Sequence, residues 1–143
     1  MQKCWTTYPI INYIRSLLKF KILEEMNLLN IIAQAISDKK GFNIIALDVK
    51  GLSSLTDYLV IAEGNVDRHV MAIARNVQED LLAQGLKPIH VEGLKNGDWI
   101  VLDYGEVMIH LFMPGMREKY QLERLWKDAK LVELDINIGP EVW

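Results

Sequence analysis

Tyr58-Leu59-Val60-Ile61-Ala62 carries an apolar side chain at nearly every position, and this run constrains the fold more than any other in the chain. Side chains alternate between the two faces of a strand. A strand this apolar is therefore stable only when both faces are covered, which predicts a central strand in a layered sheet. Phe42–Val49, ending at Gly51, is the neighbouring β-rich run. Downstream, Val70, Ile73, Ala74, Val77 and Leu81 recur at the helical period and predict an amphipathic helix over Val66–Gln84, capped by Asn65 and closed by Gly85. Leu28, Ile31, Ile32, Ala35 and Ile36 predict a second helix over Leu28–Lys40. Gly41 stops it, with Lys39 and Lys40 at the negative end of its dipole.

Pro88–Glu92 predicts a short strand, and Asn96-Gly97 a hairpin turn, because both residue types tolerate positive φ. Trp99–Tyr104 and Val107–Phe112 read as antiparallel strands joined by a tight turn at Gly105. Pro114 opens a last helix with Met116, Tyr120, Leu122, Leu125 and Trp126 as its apolar cover, and the tail from Leu131 has the makings of a short strand. The order α-β-β-α-β-β-β-α predicts an α/β protein, a mixed β-sheet with helices packed against it.

The 143 residues suffice for one domain. The formal net charge of −3 argues against a sequence-independent grip on nucleic acid, which needs a cationic surplus, and suits a basic protein partner better. Cys4 is the only cysteine, so no intrachain disulfide forms. The first 25 residues differ from the rest: Lys3, Arg15, Lys19 and Lys21 against Glu24 and Glu25 leave them at +2. Their apolar pieces are too interrupted for a membrane span, and no membrane partner is expected. A disordered extension, sequence upstream of a true start at Met26, an added helix and a targeting segment are the readings open for residues 1–25. The domain proper is then 26–136, with a tail at 137–143.

Chemistry is sparsely signalled. Gly51-Leu52-Ser53-Ser54-Leu55-Thr56-Asp57 resembles the entry to a nucleotidyltransferase site, which needs carboxylates converging on paired divalent ions. Asp57 lacks an alternating partner, because the position two residues on is Leu59. Asp48 and Asp103 are the other acids such a reading would recruit. The competing explanation is that Ser53, Ser54, Thr56 and Asp57 simply close a turn onto backbone groups. His69, His90 and His110 have no ligand spacing, and neither a metal nor a cofactor is expected. In Trp99–Tyr104, alternation puts Trp99, Val101 and Asp103 on one face, and Ile100, Leu102 and Tyr104 on the other. Either helices cover both faces, or one is an interaction surface anchored by aromatics.

Several blocks, in order, resemble one family. Ile45-Ala46-Leu47-Asp48-Val49, Gly51 through Tyr58, Asp67-Arg68-His69-Val70, Val91-Glu92-Gly93, Asp98 through Gly105 and Arg117 through Trp126 are similar to the ribosomal silencing factors of the Iojap family. The resemblance implies a nucleotidyltransferase-like fold without a complete catalytic set, hence no enzyme. It implies a cytoplasmic protein that binds a large-subunit ribosomal protein at the intersubunit face, blocks subunit association and represses translation. Large-subunit assembly and metal-dependent nucleotidyl transfer through Asp48, Asp57 and Asp103 are the alternatives. Carried onto this chain, the partner-binding positions are Trp99, Asp103 and Tyr104, then Met113, Arg117 and Tyr120, with Asp103 and Glu106 complementing a basic partner. A homodimer hiding this face is an option for the free protein.

Overall fold

The computed structural model describes residues 2–121, 124 and 126–136, with side chains from Ile14 onward except Lys19 and Phe20. The elements in order are α1 (Gln2–Asp38), β1 (Phe42–Asp48), β2 (Tyr58–Glu63), α2 (Asp67–Ala83), β3 (His90–Glu92), β4 (Trp99–Asp103), β5 (Val107–Phe112), α3 (Met116–Tyr120) and β6 (Lys130–Leu131). They build one six-stranded mixed sheet in the order β3-β4-β5-β2-β1-β6. β2 and β5 run parallel at its centre, and the other pairs are antiparallel. Every residue of β2 is buried, as its apolar pattern requires.

α1 and α2 cover one face. Leu29, Ile32 and Ile36 of α1 and Val70, Ile73 and Val77 of α2 meet Ala46, Val60, Ile100, Leu102 and Ile109 of the sheet, all fully buried. Each large side chain removed from water here contributes about 1.5–3 kcal/mol. The buried stripe of α2 consists of the five residues that its periodicity picks out.

Several local expectations change. The first helix opens at Gln2, not near Leu28. Glu25 is buried beneath it: its Oε2 accepts from Lys50 Nζ at 2.7 Å and from the Tyr58 hydroxyl at 2.9 Å. Burial pushes the Glu25 carboxyl up, but these hydrogen bonds outweigh it and hold the group below the usual carboxylate range. At the other end of α1, positive φ falls on Lys40, at 63°. Gly41 is needed because a Cβ there would lie 2.4 Å from Ile36 Cγ2.

Asn65 does not cap α2; the cap position is Val66, with no side-chain bond. His69 acts backwards instead, its Nδ1 accepting from the Asn65 backbone N–H at 2.8 Å and its Nε2 donating to the Lys39 carbonyl at 2.6 Å. One imidazole thereby ties the start of α2 to the end of α1. The Asn96-Gly97 turn is not a two-residue hairpin. β3 and β4 are joined through residues 93–98, with Gly93 at φ 84° and Gly97 at φ 70°, and the Gly97 N–H donating to the Gly93 carbonyl. α3 starts at Met116 and ends at Tyr120, with Gln121 at φ 45°, and Arg124 beyond it is again helical. Leu122 and Leu125 lie outside the described residues, and Trp126 sits in the turn that follows.

Candidate functional site

Among the described residues, the second face of the sheet is covered over only part of its width. Ile45, Leu47, Leu59, Ile61, Met108 and Phe112 form a smaller cluster there, closed by Met116, Trp126 and Ala129. Towards β4 and β3 the cover thins. Trp99, Val101, Asp103 and Met108 are half-buried, and His90 and Glu92 at the sheet edge are exposed, joined by a 2.6 Å contact. Of the two options for the Trp99–Tyr104 strand, its Ile100, Leu102 and Tyr104 side is the one packed under helices.

Trp99 stands where cover and opening meet. Register places it opposite Phe112, and the rings stack at 5.1 Å between centroids. Tyr120 of α3 lies over it at 4.6 Å and remains 43% exposed. The indole N–H donates to His110 Nδ1 at 3.0 Å. Burial pushes the His110 imidazole down to about 4, so at neutral pH it is uncharged, accepting at Nδ1 and carrying its proton on Nε2. A neutral acceptor beneath a half-buried indole fixes the ring plane. A pre-set ring loses little rotamer freedom on binding, which favours its use as an anchor.

The six positions carried over from the resemblance separate in space. Trp99, Tyr120 and Asp103 share the open face. The Asp103 carboxylate accepts from the Gly105 N–H at 2.8 Å, so the β4–β5 turn also holds it. Tyr104 belongs to the helix-covered face, its hydroxyl buried without a hydrogen-bond partner among the described residues, and burial raises its pKa. Met113 packs against the same helix-side core. Arg117 lies at the C-terminal end of β2, which is the Trp99 end of the sheet because Glu63 is opposite Phe112 and Phe112 opposite Trp99; there it donates to the Asn43 carbonyl and pairs with Glu63 at 3.5 Å. Sequence reasoning missed His110 and Met108 as members of the face. The signal was the alternation of β5, where Met108, His110 and Phe112 share a side.

The acids of the nucleotidyltransferase reading do not converge. Register puts Asp48 on the helix side of β1, opposite Tyr58, and Asp103 on the open side of β4, three strands away in the sheet order. Asp48 accepts from the Lys50 N–H, and the Asp57 N–H donates to the Glu106 carbonyl. Ser53 and Thr56 close the turn onto backbone groups: Ser53 Oγ accepts from the Leu55 N–H, and the Thr56 hydroxyl donates to the Glu106 carbonyl at 2.9 Å. Among the described residues, no three His, Cys, Asp or Glu side chains are placed to hold a metal ion.

The sequence profile of the family described as "Ribosomal silencing factor during starvation" matches residues 23–141. The chain belongs to the ribosomal silencing factor family. A ribosomal silencing factor of Bacillus subtilis is 37% identical over 117 residues, covering 82% of this chain and 99% of the relative. The family reaches organelles: a chloroplastic Iojap protein of Arabidopsis thaliana is 33% identical over 72% of this chain and 43% of its own length. A mouse protein named for mitochondrial assembly of the ribosomal large subunit is 28% identical over 79% of this chain and 53% of its own. The crystal structure of a Bacillus halodurans protein matches with a TM-score of 0.68 at 35% identity, covering 76% of this chain and 98% of that one. The mixed sheet with its helices is thus the fold of a solved relative of this ribosomal silencing factor. Gln2 to Ile22 of α1 lie before the region that the family profile matches.

Proposed function

We propose that this chain binds the large ribosomal subunit through a ribosomal protein at the intersubunit face, prevents the small subunit from joining and so represses translation in the cytoplasm. The observation that carries the reading is membership of the ribosomal silencing factor family together with a sheet face left half-covered around Trp99. An aromatic anchor at the centre of such a patch contributes about 2–4 kcal/mol to binding. Asp103 at the patch and the exposed Glu106 on the turn beyond it favour a basic partner and speed encounter more than they deepen affinity. The action is steric: the bound domain occupies the surface that the other subunit needs. No catalytic step is part of it, and the separated Asp48 and Asp103 support that. In the free protein, a homodimer is the economical way to keep the patch from water. The likeness to nucleotidyltransferases is, in this reading, one of fold without its acids.

The mouse relative's name favours a second reading, in which the same docking guards an immature large subunit. The test is co-sedimentation of the protein with separated subunits, followed by light scattering as the complementary subunit is added. Binding to the large subunit with slowed joining supports silencing. Binding to assembly precursors with no effect on joining supports the second reading, and binding to neither sinks both.

A further inference from the structure

Residues 14–18 of α1 are exposed at five successive positions. Steps of about 100° per residue carry five positions around the whole circumference, so no side of the helix rests on the domain there. The stripe that α1 buries through Leu29, Ile32 and Ile36 nevertheless continues outward at helical spacing through Ile22, Leu18 and Ile14. These three are 54%, 57% and 49% exposed, and Leu17 beside them is 50% exposed. Together they span an arc of roughly 140° that faces water. Arg15 and Ser16 stand outside that arc, and in sequence Asn12 and Lys19 fall on their side at spacings of three and four residues. Lys21 interrupts the arc one turn before Glu25, and Leu23 departs from the polar side. Charge is segregated in the same way: residues 1–23 hold four cations and no carboxylate, so the remaining residues carry −7.

We propose that this arm, residues 2–24, lies along the surface of an anionic lipid bilayer, with Ile14, Leu17, Leu18 and Ile22 in the acyl boundary and Arg15 and Lys21 at the headgroups. The inference is independent of the ribosome-docking reading. A bilayer interface is the surface that takes up both features at once, since apolar burial and attraction to anionic lipid add in such helices. RNA would neutralise the cations and leave the apolar arc in water. A second arm would cover the arc but bring four cations against four. No helix among the described residues is long and apolar enough to cross a membrane. The expectation of no membrane partner rests on that criterion, and a surface-lying helix does not need to meet it. At 1.5 Å per residue the arm is about 34 Å long, ample for such a contact. Lys21 can extend its ammonium to the headgroups while its stem stays apolar.

The experiment is co-sedimentation of the full chain with phosphatidylcholine vesicles, with and without phosphatidylglycerol. The expected result is pelleting with the anionic vesicles, weakened by salt, lost in Leu18→Asp and reduced by at least about tenfold in Arg15→Glu, since each cation near an anionic surface matters at that scale. Circular dichroism and thermal unfolding of both variants verify that the domain is intact, because neither side chain packs on it. Absence of pelleting with anionic vesicles overturns the proposal, as does unchanged pelleting of Leu18→Asp. Lipid-free self-association that Leu18→Asp abolishes assigns the arm to a second copy and overturns it. Binding to polyuridylate that Arg15→Glu abolishes and Leu18→Asp leaves intact assigns the arm to RNA and overturns the proposal likewise.

Discussion

Replacing Trp99 tests the link between the fold and the proposed docking face, because its indole is packed in the one and is the anchor proposed for the other. Trp99→Phe keeps an aromatic ring against Phe112 and Tyr120 but removes the N–H that His110 Nδ1 accepts. His110 is only 7% exposed, so its Nδ1 becomes a buried acceptor without a donor, a loss of about 1–3 kcal/mol. Trp99→Ala also forfeits two ring contacts, each about 0.5–1.5 kcal/mol. A fully buried Trp→Ala change costs about 3–5 kcal/mol, and Trp99 is half-buried, so a total near 3 kcal/mol is expected. A domain starting from about 5 kcal/mol keeps about 2 kcal/mol and stays about 97% folded. Binding measured on the Ala variant therefore reports docking and not unfolding. Urea denaturation gives the stability order wild type, Phe, Ala, and pelleting with large subunits gives at least a tenfold loss for Ala, equivalent to about 1.4 kcal/mol. A Phe variant as stable as the wild type would refute the role given to the Trp99–His110 bond. Undiminished ribosome binding by a folded Ala variant would refute the docking face.

Two further outcomes follow from the same geometry. His110 titrates near 6.5 when unfolded and about 4 when folded, so the unfolded chain takes up the proton first. That part of the stability is nearly complete above pH 7 and drains as pH falls towards 4, by about 2 kcal/mol between pH 7 and 5. Denaturation midpoints of wild type and His110→Phe at pH 7 and pH 5 check it; an equal acid loss in both would exonerate His110. Gly93 has φ 84°, and a Cβ there would lie 2.0 Å from the Trp99 carbonyl oxygen, whereas a Cβ on Gly51, at φ 79°, would meet nothing. Gly51→Ala should then cost about 1 kcal/mol and Gly93→Ala clearly more, with weakened subunit binding because β4 shifts. Similar midpoints for the two variants would count against the close approach.

Periodicity made some of this molecule readable in advance. The buried stripe of α2 and the fully buried β2 are properties of short windows, in which period and burial correspond. What stayed illegible depends on contacts between distant residues. Nothing near Glu25 announces that it meets Lys50 and Tyr58 under the sheet, and nothing near His69 announces the Lys39 carbonyl. Asn65 is a sound cap by residue type, but α2 starts without a side-chain cap bond, and an imidazole from the next turn holds the Asn65 N–H instead. Alternation alone separates Trp99 from Tyr104. The resemblance gathers them into one docking set, and the two faces of β4 part them again.

Among the described residues, the cover of this face is shaped by where α3 stops. A helix from Pro114 through Trp126 would run about 20 Å, long enough to roof several strands. The described helix is one turn and a fraction, ending where the Gln121 N–H donates to the Arg117 carbonyl and its φ is 45°. A non-glycine residue in that conformation costs about 1–2 kcal/mol. The early stop places Tyr120 at the helix end, against Trp99, with its outer edge in water. Met116, Trp126 and Ala129 then seal the β1–β2–β5 side, while Val101 and Asp103 stay partly open. A sheet covered evenly on both faces would have a larger core and nothing to dock with. Among the described residues, Trp99 and Tyr120 form an aromatic pair whose inner half is core and whose outer edge is exposed, the part that the proposed docking would use.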